Sequence, residues 1–376
     1  MDVYLDNNAS APVRPEAAQS VLAAIEAVGN PSAVHRAGRE LRAIVEESRR
    51  AVATLIGTSS GRVLFTSGGT EANSLALLSA ARSGVKRFLI GATEHPSVRE
   101  CALALEGQVE VWPVTSSGEA DLDWLRQILR DWRPSDGPPF VALMLANNET
   151  GVIQPVEIAA ELVAEVGGWL HVDAVQAAGK IAISMDALGA RTMAISAHKL
   201  GGLTGSGALV VAPGTPIKAI LHGGGQEFGL RAGTENVAGI AAFGAAARAS
   251  VRDLPLQSRQ HAWREAIEAD LQRAHPVVVV GKAAKRLPGT LCMAVQNFES
   301  SLQVMGLDLE GVRVSAGAAC SAGKLAASHV VSMMGLRQLA RSSLRVSGGW
   351  STNEEDWRIF SGAWQSLYRR YAALRR

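Results

Sequence analysis

Lys199 closes the run Ser196-Ala197-His198-Lys199, which follows an apolar, β-rich stretch and precedes the glycine-rich residues 200–207. A lysine at a strand end, beside a hydroxyl and an imidazole, suits Schiff-base chemistry when its surroundings lower its pKa. An isolated lysine is more often simply solvated, so the neighbours must decide. Asp173, in His171-Val172-Asp173-Ala174-Val175-Gln176, falls at the carboxyl end of another apolar run, where α/β sheets bind ligands. A carboxylate buried there needs a cationic partner. Upstream, Thr66-Ser67-Gly68-Gly69-Thr70-Glu71-Ala72-Asn73 joins a strand candidate to a helix candidate. Its glycines let the backbone approach an anion, and the helix N-terminus offers unpaired N–H groups to a phosphate. The run is neither a Walker A loop nor a GxGxxG, so a nucleotide is not the ligand it suggests, and alone it reads equally well as an ordinary capped turn. Glu94-His95-Pro96 follows one more strand end and offers an imidazole to a flat ring. A surface or N-cap histidine is the plainer reading of His95 by itself. A pyridinium nitrogen is one cation that Asp173 could pair, which makes pyridoxal phosphate (PLP) a ligand that all four features suit.

These residues need a frame, and the hydropathy pattern supplies one. Strands are expected at 63–66, 87–91, 109–114, 140–146, 169–173, 192–196 and 208–212. Helices are expected between most of them, among them 32–56, 70–82, 96–105 and 155–166, the first capped by Ser32 and stopped by Gly57. This alternation reads as an α/β unit with a mainly parallel sheet whose strands are buried on both faces. From about Arg252 the pattern changes to a long helix at 256–274 and strand-like runs at 277–280, 290–295 and 312–315. A strand at 344–347 and a helix from Asn353 close the chain, so the second unit reads as smaller and α+β.

With 376 residues and 47% hydrophobic content, the chain can bury a large core and form two units of unequal size. Its 37 basic and 35 acidic residues leave a formal charge of +2, which gives no electrostatic footprint for nucleic acid or an anionic membrane. The arginine pairs at 369–370 and 375–376 read as the solvated end of a terminal helix. No apolar run approaches the roughly 18–20 residues of a bilayer span, and residues 1–6 lack the pattern of a secretory signal. Three cysteines, at 101, 292 and 320, are too few and too scattered for a disulfide framework or a CxxC metal site. A cytoplasmic, reducing compartment fits, with free thiols and no metal.

The order of phosphate loop, strand-end acid and downstream lysine resembles that of fold-type I PLP enzymes. Within them, the chain resembles the NifS/IscS-type cysteine desulfurases of the class V aminotransferase group. The matching segments begin with Tyr4-Leu5-Asp6-Asn7-Asn8-Ala9, Gly29-Asn30-Pro31-Ser32 and the Ser67–Glu71 stretch already quoted. They continue through Glu94-His95, Asn147-Asn148-Glu149-Thr150-Gly151, the Asp173 and Lys199 runs, and Gly223-Gly224-Gly225-Gln226-Glu227. Arg231-Ala232-Gly233-Thr234-Glu235-Asn236, Gly317-Ala318-Ala319-Cys320-Ser321 and Ser343-Leu344-Arg345-Val346-Ser347 complete the set. The resemblance implies a large domain at 13–251 and a small one built from 1–12 with 252–376. It implies that Lys199 carries PLP and later shuttles the α-proton. Asp173 would pair the pyridinium nitrogen, Gln176 bond the ring hydroxyl, and His95 stack on the ring and assist proton transfers. Gly69, Thr70, Ser196 and His198 would hold the phosphate, joined by Thr234 from the second subunit of a homodimer. Asn148 and Arg345 would fix the substrate carboxylate, for which an Arg fork is better shaped than a Lys.

The resemblance further implies that L-cysteine is the substrate and that Cys320 takes its sulfur as a persulfide, leaving alanine. Cys320 lies among small residues, 315–323, as suits a thiol that must reach the substrate and then an acceptor such as an iron–sulfur scaffold protein. The sequence after it resembles the group with a longer loop, not the one marked by Arg-Thr-Gly-x-His-Cys. Cys292 and Cys101 read as packed cysteines. The chain departs from the family pattern at four places: Leu203-Thr204 for a usual Pro-Lys, Ala9-Ser10-Ala11 for Ala-Thr-Thr, Phe228 for a charged or small residue, and Trp350 for a basic one. Extra packing is the plainer reading of both aromatics, and a partner surface the alternative. Rival activities on the same frame are a selenocysteine lyase and another PLP-dependent β-lyase or aminotransferase. A catalytically idle scaffold comes last, because Lys199, Asp173, His95 and Cys320 are all present.

Overall fold

The computed structural model describes residues 2–317 and 327–374. Among them, seven strands form one sheet in the order Val63–Thr66, Gly207–Val211, Thr192–Ser196, Trp169–Asp173, Phe140–Ala142, Arg87–Gly91 and Gln108–Trp112. All run parallel except Gly207–Val211, which is antiparallel to both neighbours. The central strands Trp169–Asp173 and Thr192–Ser196 are buried at every position, as continuous apolar runs between two helical layers must be. Helix Gly69–Arg82 packs on one face, against Thr192–Ser196 and Gly207–Val211. On the other, Arg36–Leu55 and Pro15–Glu26 pack against Val237–Asp253, a helix rich in alanine and glycine. Gly244 explains that closeness: a methyl there would come within 2.6 Å of the Ser48 backbone.

A second sheet is antiparallel, in the order Ser315–Ala316, Ser343–Ser347, Thr290–Ala294 and Val278–Val279. Helices Gln257–Ala274, Ser300–Leu309 and Glu354–Ala373 bury Trp357, Phe360 and Trp364 with Leu291 and Leu344 in its core. Val3 and Leu5 belong to the same cluster, because Val3–Tyr4 pairs in parallel with Val312–Arg313. The α/β class with a mainly parallel sheet and a smaller α+β part is therefore the observed architecture.

Three local expectations differ in detail. The first long helix starts at Arg36 with His35 as its cap, because Asn30 instead folds residues 30–33 into a turn and its side chain accepts from Ser32 N at 2.9 Å. The run at 312–315 is two strands in two sheets, Val312–Arg313 and Ser315–Ala316. The run at 140–146 is a regular strand only to Ala142, although Leu143 and Leu145 go on donating to His171 and Asp173 carbonyls. Asn353 does start the last helix, as the N-cap of a capping box with Asp356.

Candidate active site

The parallel strands all end on one side of the sheet, and the turns that follow them supply the site. Asp173 and Ser196 are the last residues of adjacent strands, so their side chains arrive at the carboxyl edge of the sheet at fixed spacing. Thr66 ends a third strand, and helix Gly69–Arg82 begins three residues later. Gly207 lets that turn settle, since a methyl on it would lie 2.6 Å from the Gly68 carbonyl carbon. Gly69 does the same inside the site: a methyl there would meet Val175 at 2.8 Å. His95 caps helix Pro96–Leu103, its Nδ1 accepting from Ser97 N at 3.1 Å.

These turns enclose a cavity of about 360 Å³, within the roughly 300–1,000 Å³ of small-molecule sites. Gly69, Thr70, Ser196 and His198 line one part of it, and His95, Asp173 and Gln176 another. Lys199, Asn148 and Arg345 complete the wall. Ten of the residues singled out from sequence thus converge on one space. Thr234 does not: it is exposed and lines a different cavity with Ser67 and Arg231. Cys320 lies outside the described residues.

Each polar side chain is held by its neighbours. Asp173 accepts from Asn73 Nδ2 at 2.9 Å and Val175 N at 3.0 Å. Gln176 donates to the Asn8 carbonyl at 2.9 Å and accepts from Lys180 Nζ at 2.8 Å. Lys199 Nζ donates to the carbonyls of Asn8 and Ala9 at 2.6 and 2.7 Å. Ser196 Oγ and His198 Nδ1 are 2.8 Å apart, and burial with the nearby Lys199 charge pushes the His198 imidazole down to about 4. Arg345 reaches the Asn148 carbonyl at 3.2 Å and Asp6 at 2.7 Å, while its Nε, also buried, has no partner among the described residues.

The donor set fits PLP on this chain's own geometry. A carboxylate, a side-chain amide and an imidazole would face the ring, hydroxyls and a helix N-terminus the phosphate, and an amine the carbonyl carbon. The partly used Arg345 fork, with a buried orphan donor, suits a planar carboxylate. Cys292, by contrast, is fully buried and its thiol is pushed up to about 12, chiefly by burial, so it is a packed cysteine. Cys101 is half-buried with its thiol raised by burial.

The profile of the family described as Aminotransferase class-V matches residues 3–358. The chain belongs to the class V aminotransferase family. It is 36% identical over 365 residues to the cysteine desulfurase IscS of Dictyoglomus turgidum, covering 94% of this chain and 91% of that protein. A cysteine desulfurase of Cereibacter sphaeroides is 40% identical over 367 residues, covering 94% and 92%. Among solved structures, the NifS-like protein from Rickettsia africae superposes with a TM-score of 0.90 at 30% identity, covering 98% of this chain and all of that one. Class V members are PLP enzymes, in keeping with the donor set.

Several residues of the site carried no role in the sequence reading. Asn8 binds Gln176, Lys199 and Lys180, and its amide donates to Asn148 O and Thr290 Oγ1, both at 3.1 Å. It thereby ties residues near the chain start to both sheets. Asn73, Ser97, His171 and Asp6 serve in the same way as partners of partners. The available signal was polarity out of place: His171 is an imidazole inside an otherwise apolar central strand. The two unusual aromatics also resolve. Trp350 packs on Arg14 at 5.0 Å and donates to the Pro12 carbonyl at 2.8 Å. Phe228 remains 61% exposed at a positive φ of 60°, beside Arg49.

Proposed function

We propose that this chain is a PLP-dependent cysteine desulfurase, converting L-cysteine to alanine and passing the sulfur on through Cys320. The convergence of Lys199, Asp173, His95, Asn148 and Arg345 on one cavity, in a chain of this family, carries the reading. PLP bound there supplies the electron sink that makes bonds at the substrate Cα and Cβ labile. Asp173, its oxygens fixed by Asn73 and Val175, would hold the ring nitrogen. Thr70, Ser196 and His198 would take the phosphate, with Gly69 leaving room for it. Asn148 and Arg345 would orient the substrate carboxylate, and Lys199 would take the Cα proton at Nζ. The Cys320 thiolate then forms an S–S bond as the substrate C–S bond breaks, and the electron pair left on carbon is protonated, with His95 or Lys199 as donor.

The reading extends to a homodimer in which Thr234 of one copy reaches the phosphate site of the other; its exposure, and its place outside the wall of its own copy's candidate site, support that. It further assigns residues 13–251 to the cofactor-binding domain and 1–12 with 252–376 to the domain bearing Cys320. A cytoplasmic enzyme feeding an iron–sulfur scaffold or another sulfur acceptor follows from the same assignment. Among the described residues, no helix is long and apolar enough to cross a membrane. The test is to feed L-cysteine and dithiothreitol to the PLP-loaded protein and measure alanine, sulfide and pyruvate. Alanine and sulfide in equal amounts, lost in Lys199→Ala, support the proposal; pyruvate with ammonia marks a β-lyase instead.

A further inference from the structure

A single hydrogen-bonded chain runs behind the site from the sheet core to the His95 ring, and its donors can be assigned one by one. Trp169 Nε1 donates to Thr192 Oγ1 at 2.9 Å. Thr192 Oγ1 meets His171 Nδ1 at 2.9 Å, and His171 Nε2 meets Asn73 Oδ1 at 2.9 Å. An amide oxygen only accepts, so His171 Nε2 carries a proton. Burial pushes this imidazole down to about 3, so the ring is neutral and the Thr192 hydroxyl donates to its bare Nδ1. Asn73 Nδ2 then spends one proton on Asp173 Oδ2 and the other on Ser97 Oγ, both at 2.9 Å. The reversed amide would set its oxygen against the Asp173 carboxylate, so the orientation is fixed from both sides. Finally, Ser97 N donates to His95 Nδ1 at 3.1 Å, and Ser97 Oγ lies 2.8 Å from the same atom. A backbone N–H only donates; His95 Nδ1 is therefore an acceptor, and the neutral ring carries its proton at Nε2.

We propose that Asn73, backed by His171, is a positioning residue that links the hydrogen bonding of the Asp173 carboxylate to the orientation of the His95 ring. One amide serves the carboxylate that would hold the ring nitrogen and, through the Ser97 hydroxyl, the imidazole that would stack on the ring. Both Asn73 Nδ2 protons are engaged by these two partners, and the His171 ring lies stacked at 6.0 Å on Phe140, which keeps the support rigid. The proposal rests on the reading of Asp173 and His95 as cofactor partners. The other titratable groups around Asp173 are Glu94, buried and sensing its charge, and Lys199, His198 and Arg345, in the same cavity.

The experiment uses PLP-loaded holoenzyme and reads the pH midpoint of the bound cofactor's absorbance and the PLP dissociation constant. A carboxylate that loses a donor becomes more basic and draws the proton it shares with the ring nitrogen. Asn73→Ala is therefore expected to raise the midpoint by about one unit and weaken PLP about tenfold. His171→Phe, which frees the amide to turn, should move both in the same direction, and His171→Gln, which restores a donor, should return them toward wild type. Ser97→Ala, which removes the hydroxyl link to His95 and keeps the backbone one, should leave the midpoint and lower kcat with KM retained. A thermal melt checks each fold; should the His171 variants unfold, Asn73→Ala decides. A folded Asn73→Ala with wild-type midpoint and PLP constant overturns the proposal. If Asp173→Asn is equally without effect on the cofactor, the assignment of Asp173 has failed, and with it the basis of the relay.

Discussion

Replacing Glu94 with Gln should make the protein more stable above neutral pH. Glu94 is 3% exposed; one oxygen accepts from Met144 N, and the other has no partner among the described residues. Burial, with the Asp173 charge adding, raises its carboxyl from 4.5 to about 8. Between those values the unfolded chain has lost this proton and the folded protein still holds it. Stability therefore falls with rising pH across that window and is undiminished only below 4.5. At about 1.4 kcal/mol per unit, the loss from this one group between pH 5 and 8 is roughly 3–4 kcal/mol. Gln has the shape of the neutral acid and does not titrate. Urea unfolding of the PLP-free protein at pH 5, 6, 7 and 8 should show wild type and Glu94→Gln within about 1 kcal/mol at pH 5, parting by about 3–4 at pH 8. His171 and His198, whose lowered pKa values cost stability on the acid side, occur in both proteins and cancel. A difference that stays flat with pH, or a variant less stable at pH 8, refutes the buried neutral carboxyl.

Further perturbations separate chemistry from packing. Lys199→Ala should lose the lysine-bound cofactor band and cut alanine formation by at least about a thousandfold. Arg345→Lys keeps the charge but not the fork shared with Asp6 and Asn148; KM for L-cysteine should rise about 10- to 100-fold, with a smaller change in kcat. Trp350→Ala removes a hydrogen bond and a ring over Arg14, so unfolding experiments should show a loss of about 1–2 kcal/mol with alanine formation within about twofold of wild type. Asn353→Ala opens the capping box of the last helix and should cost about 1 kcal/mol in the same assay.

What the sequence disclosed follows from how local each signal is. Trp169–Asp173 and Thr192–Ser196 could be read to the residue, because a strand buried on both faces is an unbroken apolar run and its functional residue terminates it. Gly69 marked the candidate phosphate loop for a similarly local reason, the need for backbone room, whereas the tight fit of Gly207 against Gly68 became visible only in the fold. The split of 312–315 was hidden: strand character is written in those residues, but the choice of Val3–Tyr4 or Ser343–Ser347 as partner is not. Likewise, the work of His171 depends on Asn73, 98 positions away, and that of Asn8 on Lys180 and Lys199. Glu94 reads as an ordinary charge beside His95, and only the folded packing shows that it is buried with no cation beside it among the described residues.

The central claim is that sulfur leaves L-cysteine for Cys320. The decisive measurement is alanine released from L-cysteine, with reductant present, by PLP-loaded wild type and by Cys320→Ala loaded to the same extent. Alanine from the wild type and none from the variant is the predicted result. Equal alanine from both would contradict the account, because the acceptor of the sulfur would then be something other than Cys320.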